Sequence, residues 1–178
     1  MSAPAPLRAV PEIVQALAAR LTALEWEGQP AFHAVLRHDL ADLDRALAAT
    51  NERGPRLALL IPDDEVFTPR LSGRAVLVTR RLPVALILCD QVLGDRGAAL
   101  WGAPPQNPGA FGLAKIVLPI VTGRLLDAPA PVTCHPTRCG VLALGDTARE
   151  GRAAVELDLE CAGGSLSFAA SPTSGPIL

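Results

Sequence analysis

The sequence that decides the fold class is RAVLVTRRLPVALILCD, residues 74–90. Its first half, Arg74–Arg80, is rich in β-branched residues, and its second half, Pro83–Cys89, is almost wholly apolar. Each half therefore predicts a β-strand. The two halves form either two strands or one long bent strand with a bulge at Leu82-Pro83. Because the most apolar part of the chain is predicted to be strand, a sheet is expected at the centre of the fold.

Further strands are predicted on both sides of this segment. In each, apolar residues alternate with polar ones or form a short run bounded by Pro or Gly. They cover Ala31–Leu36, Arg56–Ile61, Val141–Leu144 and Ala153–Cys161. The last strand has an apolar face and an acidic outer face.

Apolar residues recur at helical spacing in three other segments. They are residues 11–25, 39–50 and 111–126. Pro11 suits the first position of the first helix, with Gly28 and Pro30 beyond its end, and Pro119 predicts a kink in the last. Regular crossover helices do not separate the strands. The order therefore predicts an α+β fold: a mixed, mostly antiparallel sheet packed with two to three helices.

The length of 178 residues suits one domain. We predict a flexible N-terminal lead over residues 1–10, a single α+β domain over residues 11–161, and an uncharged C-terminal arm or tail over residues 162–178. The Gly- and Pro-rich residues 94–109 predict a long loop. Trp101 in this loop either packs back onto the core or anchors a partner surface.

Composition and charge argue against two functional classes. The net charge of −2, the scattered arginines and an aromatic content of 3% do not predict a nucleic-acid-binding surface. The longest apolar runs, Leu82–Cys89 and Ile116–Gly123, are far shorter than the roughly 20 residues that cross a bilayer. No signal peptide pattern opens the chain, so we expect a protein made in the cytoplasm.

No catalytic motif of the phosphate-binding, dinucleotide-binding or nucleophile-elbow type is present. Three local pairs have two interpretations each. Asp63-Asp64 is a turn or an acid–base pair, His33 with His38 is solvated or a metal pair, and Cys89-Asp90 is structural or holds a nucleophile.

The cysteines are predicted to be free thiols in a reducing compartment. Cys134 and Cys139, with His135 between them, lack the second ligand pair of a zinc site, although their oxidation stays open. We therefore predict no enzyme activity, no metal and no cofactor. A small enzyme or ligand-binding domain and a zinc-containing interaction domain remain alternatives.

Five segments in order carry a family resemblance over about residues 10–162. They are EIVQALAARLTAL (12–24), RLALLIP (56–62), RAVLVTRRLPVALILCD (74–90), GLAKIVLPIVTGRLL (112–126) and GVLALGDTAREGRAAVELDLEC (140–161). This order resembles the phage tail terminator (tail completion) proteins of the Mu-like and lambda-like kind. The loop at 94–109 and the uncharged residues after Cys161 depart from the family pattern.

The resemblance implies a structural virion protein of the tail, assembled in the host cytoplasm and without a catalytic site. Such proteins form a hexameric ring that caps the tail tube, stops its polymerisation and offers the head-joining surface. The implied partners are further copies of the chain, the tail tube protein and head–tail connector proteins. No membrane and no sequence-specific nucleic acid are implied, with DNA passing through the ring. Another head–tail connector or tail morphogenesis protein is the alternative.

A ring requires a head-to-tail contact in which two different patches of the subunit meet. Arginine–carboxylate pairs across such a joint fix its register. The candidate interface residues are Arg80, Arg81, Trp101, Arg149, Arg152, Glu156, Asp158 and Glu160.

Overall fold

The computed structural model describes residues 7–37, 55–72, 75–103, 107–144 and 151–169, the last six of them by backbone alone. The helices in this part are α1 (Val10–Thr22), α2 (Arg96–Trp101) and α3 (Gly109–Val121). The strands are β1 (Glu25–Trp26), β2 (Gln29–Pro30), β3 (Ala34–Arg37), β4 (Leu57–Pro62), β5 (Val66–Ser72), β6 (Ala75–Gln91), β7 (Gly123–Leu126), β8 (Val132–Leu142) and β9 (Arg152–Ala169). The predicted α+β class is confirmed.

One mixed sheet organises the described residues. Its strand order is β3-β4-β6-β9-β8-β7, and β5 pairs with β6 beyond the end of β4. The β3–β4 pair is parallel, and the other pairs of this sheet are antiparallel. The predicted mostly antiparallel sheet is therefore confirmed.

The main core lies between α1, α3 and one face of the sheet. It is built from aliphatic side chains at helical spacing on α1 and α3 and at alternate positions on β6 and β9. Each such side chain contributes about 1.5–3 kcal/mol when fully buried. The fully buried members include Leu17, Leu21, Leu86, Leu113 and Leu157.

The opposite face of the sheet has a smaller buried cluster. Its buried members are Leu57, Leu59, Ile61, Ile87, Cys89, Leu144 and Ala154. The helix predicted over residues 39–50 lies outside the described residues. Farther across this face, β9 presents Glu156, Asp158 and Glu160, as its alternation predicts.

The two longest strands, β6 and β9, run past the part of the sheet that the helices cover. They pair from Gln91 opposite Arg152 to Ala75 opposite Ala169, with a register shift between Thr79 and Arg81. Beyond that shift β5 joins β6 in place of β4. We call this part the extension: β5, residues 75–81 of β6 and residues 162–169 of β9.

The structure corrects several predicted boundaries. The helix predicted to reach residue 25 ends at Thr22, because β1 and β2 form a hairpin around Glu27 and Gly28. Both turn residues have positive φ, 51° and 74°, which suits a two-residue hairpin turn. Residues 75–91 form one strand, and its register shift against β9 precedes the bulge predicted at Leu82-Pro83.

Other elements lie where none was predicted. The predicted loop at 94–109 contains α2, and the link around Pro69 is β5. Strand β8 begins at Val132 and β9 continues to Ala169, so both are longer than predicted. No helix in the described segments has the length and apolar character needed to cross a membrane.

Candidate interaction surfaces

An aromatic groove of about 470 Å³ lies at the α2–α3 corner of the domain. The ring of Trp101 stacks on Phe111, with a centroid separation of 4.8 Å and an angle of 16° between ring planes. Trp101 is nevertheless 68% exposed. The other lining residues are Trp26, Glu27, Asn107, Pro108, Gly112, Lys115 and Ile116. The groove thus gathers both tryptophans and the single lysine of the chain.

Local hydrogen bonds fix the α2 segment that carries Trp101. The side chain of Asp95 accepts from the backbone N–H of Ala98 at 2.9 Å and so caps α2. The Asn107 amide donates to the Ala98 carbonyl at 3.2 Å. On the other wall, the Arg56 guanidinium lies 5.1 Å from the centre of the Trp26 ring, a cation–π contact. The shape of the groove is therefore fixed by contacts within the subunit.

A buried carboxyl group lies behind this groove. Asp90, at the end of β6, is almost fully buried and accepts from the backbone N–H of Gln91 at 2.8 Å. Burial raises the pKa of Asp90 to about 6, despite hydrogen bonds from Gln91, Asn107 and Gly109 and the positive charge of Arg56. Its neighbour Cys89 is also buried, which raises the pKa of that thiol to about 12. Neither group is exposed in the way a nucleophile requires.

A second apolar surface lies on the extension. All seven residues of β5 are exposed, and Leu71 is 71% exposed. Because strand side chains alternate, Phe67, Pro69 and Leu71 share one face. Their partners on β6 are Arg80, Val78 and Val76, so the two valines continue this face. We call Phe67, Pro69, Leu71, Val76 and Val78 the apolar stripe.

The acidic face of β9 lines a smaller groove of about 320 Å³. Glu160 lies 3.4 Å from the Arg81 guanidinium and 3.6 Å from the His135 imidazole, and Asp158 lies 3.6 Å from Arg138. Thus three of the predicted interface residues, Arg81, Asp158 and Glu160, form ion pairs within the chain. Glu156 lies in the same groove.

Two predicted interface residues are buried instead. Arg80 bonds to the Glu65 carboxylate and to the carbonyl of Arg8. Arg152 begins β9 and donates to the Gln91 side chain at 3.1 Å. Both side chains are buried within the single subunit, and these bonds lie inside it. Arg149 lies outside the described residues.

The candidate catalytic and metal-binding residues do not come together at one site. Asp63 and Asp64 follow β4 at the end opposite Leu57, which pairs with Cys89. His33 is exposed, and His38 lies outside the described residues. Cys134 faces the main core, whereas His135 lies in the ion-pair cluster on the other face. The described residues contain no group of three or more His, Cys, Asp or Glu side chains arranged to hold a metal ion.

A cysteine pair that spacing did not predict lies between β8 and β9. Cys134 is directly opposite Cys161, and both thiols are buried in the main core. Cys139, the partner suggested by sequence spacing, is exposed and lies opposite Leu157. The pairing depends on the register of β8, most of which was not predicted as strand.

Comparison with models of known protein families gives no match, and comparison with curated protein sequences gives none either.

Proposed function

We propose that this chain is a structural virion protein of the tail terminator type that forms a closed ring with copies of itself. The observation that carries the proposal is a pair of different exposed apolar surfaces on one subunit. These are the aromatic groove, centred on Trp101, and the apolar stripe, centred on Leu71. A ring made by head-to-tail contacts needs two such unlike patches on each subunit.

The two surfaces lie toward opposite ends of the long central strands. The stripe accompanies the first half of β6, and the groove is built on α2, which follows the end of that strand. A straight strand of 17 residues spans about 55 Å. Separation on this scale prevents one neighbour from covering both patches by the same contact, and it favours a chain of subunits that closes.

The chemistry of the two surfaces is complementary in kind. The stripe offers aliphatic and aromatic side chains on an edge strand, and the groove offers the rings of Trp26, Trp101 and Phe111. Pro69 lacks the N–H that a further strand would require, so packing of side chains suits this edge better than strand addition. Tryptophan side chains in a desolvated pocket dominate the binding energy of many interfaces.

The polar residues have a smaller part in the proposed joint. Arg81 and Glu160 already pair across the base of the extension, at 3.4 Å. A neighbour's charge would have to compete with this intrachain pair. We therefore assign register to the exposed charges and assign most of the binding energy to the apolar surfaces.

The native mass of the purified protein tests ring formation. We expect particles of about 111 kDa, six times the 18.5 kDa subunit, with a central hole in negative-stain images. Leu71→Asp should abolish them, because a carboxylate would be buried without a partner. Val141→Asp is the matched control, since Val141 is also exposed but lies on β8 and belongs neither to the groove lining nor to the stripe. Rings that survive Leu71→Asp would contradict the stripe as an interface.

The tail terminator role itself needs a second assay. Added to tail tube protein during polymerisation, the wild-type protein should bind tube ends and stop elongation. The Leu71→Asp variant should fail to do so, and Val141→Asp should act like the wild type. Rings that leave tube length unchanged and do not bind tube ends would instead favour another connector or tail morphogenesis role.

A further inference from the structure

We propose that Cys134 and Cys161 form a reactive dithiol site for hydroperoxides, which join the two residues in a disulfide between β8 and β9. The inference is independent of ring formation. It depends on the pairing of the strands, the orientation of both side chains and the charge beside one of them.

The strand register supplies the geometry for this bond. Cys134 and Cys161 are directly opposed in an antiparallel pair, and both side chains belong to the main core. Cα atoms opposed in this way are about 4.5–5.5 Å apart, within the range of about 4.4–6.8 Å that a disulfide spans. The two thiols are close enough that each shifts the pKa of the other. Little backbone movement is needed to join them.

The surroundings make the two thiols unequal. Interaction with the Cys161 thiol and the positive charge of Arg20 lower the pKa of Cys134, against the opposing effect of its burial. Interaction with the Cys134 thiol, burial and the nearby charges of Cys134 and Glu160 raise the pKa of Cys161. Arg20 is held in place because it donates to the carbonyl oxygens of Ile120 at 2.9 Å and Leu125 at 3.4 Å. Because Arg20 is bonded to β7, the strand that pairs with β8 at Cys134, we assign Cys134 as the attacking sulfur and Cys161 as the resolving one.

The reaction balances in two steps. The Cys134 thiolate attacks the terminal oxygen of a hydroperoxide, the O–O bond breaks, and Cys134 becomes a sulfenic acid; the alkoxide or hydroxide formed takes up the proton that Cys134 released on ionising and leaves as an alcohol or water. The sulfur of Cys161 then attacks the Cys134 sulfur and forms the disulfide. The sulfenic oxygen leaves as water with the proton of Cys161. Two thiols are oxidised, and one hydroperoxide is reduced.

A short edge strand controls access to the site. Gly123 of β7 lies opposite Cys134, and β7 has four residues with a register shift between Arg124 and Leu126. Short edge strands open locally at a small free-energy cost. Hydrogen peroxide, hardly larger than water, can enter through such an opening. Bulky thiol reagents should react far more slowly.

Hydrogen peroxide is the probe for the test. We would use the Cys139→Ser variant, which lacks the exposed thiol, with a chelator present and catalase to stop the reaction. We expect the intact mass to fall by two hydrogen atoms, and a non-reduced digest should contain Cys134 linked to Cys161. Dithiothreitol should reverse the change.

Cys89 is the internal control. It is buried in the same sheet, but its neighbours across the strands are Leu57 and Ala154. We expect the free thiol of Cys134 to disappear at least about tenfold faster than that of Cys89. With Cys161→Ser added, Cys134 should gain oxygen or be trapped as a sulfenic acid. Equal oxidation of Cys89 and Cys134, or oxidation of Cys134 without a link to Cys161 in the parent variant, would overturn the proposal. The comparison of Cys89 with Cys134 uses the Cys139→Ser variant alone, so it remains valid even if adding Cys161→Ser prevents folding.

Discussion

Single buried charged residues connect separate segments of this fold. Arg80 ties the start of the extension to the segment before α1, and Arg152 ties the start of β9 to Gln91. Sequence patterns do not reveal such residues, because an arginine destined for burial looks like one destined for a surface. Both were predicted as interface residues, and both side chains are buried in the folded subunit.

Asp90 leads to a pH prediction at the same scale. Its pKa in the folded chain is about 6, above its usual value of 3.8. The folded state therefore binds its proton more tightly than the unfolded state does. This contribution to stability is full below about pH 4 and is lost as the pH rises through 6. The loss amounts to about 3 kcal/mol, since each tenfold change in proton affinity corresponds to about 1.4 kcal/mol.

Asp90→Asn should remove this dependence. We expect the free energy of unfolding of the wild type, relative to this variant, to decrease between pH 4 and pH 7. Urea denaturation at several pH values measures the difference. Asp64→Asn, which removes an exposed carboxylate by the same substitution, is the matched control. A constant difference between wild type and Asp90→Asn would show that the carboxyl group titrates normally.

At the scale of elements, the join between β6 and β9 depends on a glycine. Gly151 has a φ of 71°, and a Cβ there would lie 2.0 Å from the Val92 carbonyl oxygen. Gly94 nearby has a φ of 75°, yet no atom lies within 4 Å of its Cβ position. Gly94→Ala should cost about 1 kcal/mol from the backbone conformation alone.

Gly151→Ala should cost more than about 3 kcal/mol, because the backbones of β9 and of the segment after β6 must separate. Thermal and urea unfolding of both variants would measure the two costs. Similar values for the two variants would mean that the close approach at Val92 relaxes easily.

Elements with a buried face were predicted best. β4, most of β6 and the part of β9 up to Cys161 followed the alternation or apolar runs that burial produces. β5 was missed because all its residues are exposed and Pro69 indicates a link. The first part of β8 was missed because Pro136 and a register shift interrupt its pattern. α2 has only six residues, too few for a periodic signal.

The candidate surfaces, like the elements, were predictable only where a local sequence pattern revealed them. Trp101 was identified because a tryptophan in a Gly- and Pro-rich segment is conspicuous. The apolar stripe was not identified, because Phe67 and Leu71 form a continuous surface only once β5 is paired with β6. The pairing of Cys134 with Cys161 could be identified only from the register between β8 and β9.

At the scale of the whole molecule, the head-to-tail arrangement has a distinctive consequence. Leu71→Asp removes the stripe and keeps the groove, and Trp101→Asp does the reverse. Each variant alone should be monomeric. Mixed, they should form a dimer of about 37 kDa, twice the subunit mass, through the one joint that remains intact.

Native mass spectrometry of the mixture decides this point. A dimer with one copy of each variant supports the contact between stripe and groove. Homodimers of either variant would indicate a symmetric contact, and a mixture that stays monomeric would mean that the two surfaces do not bind each other.

The long β6–β9 ladder also determines how the chain must be made. Gln91 pairs with Arg152, 61 positions later, so β6 leaves the ribosome long before its main partner. At roughly 5–20 residues per second, synthesis of the intervening chain takes about 3 to 12 seconds. During that interval one edge of the most apolar strand is open to other nascent chains. The yield of correctly folded protein should therefore depend on how densely ribosomes occupy the message, more than on the stability of the finished fold.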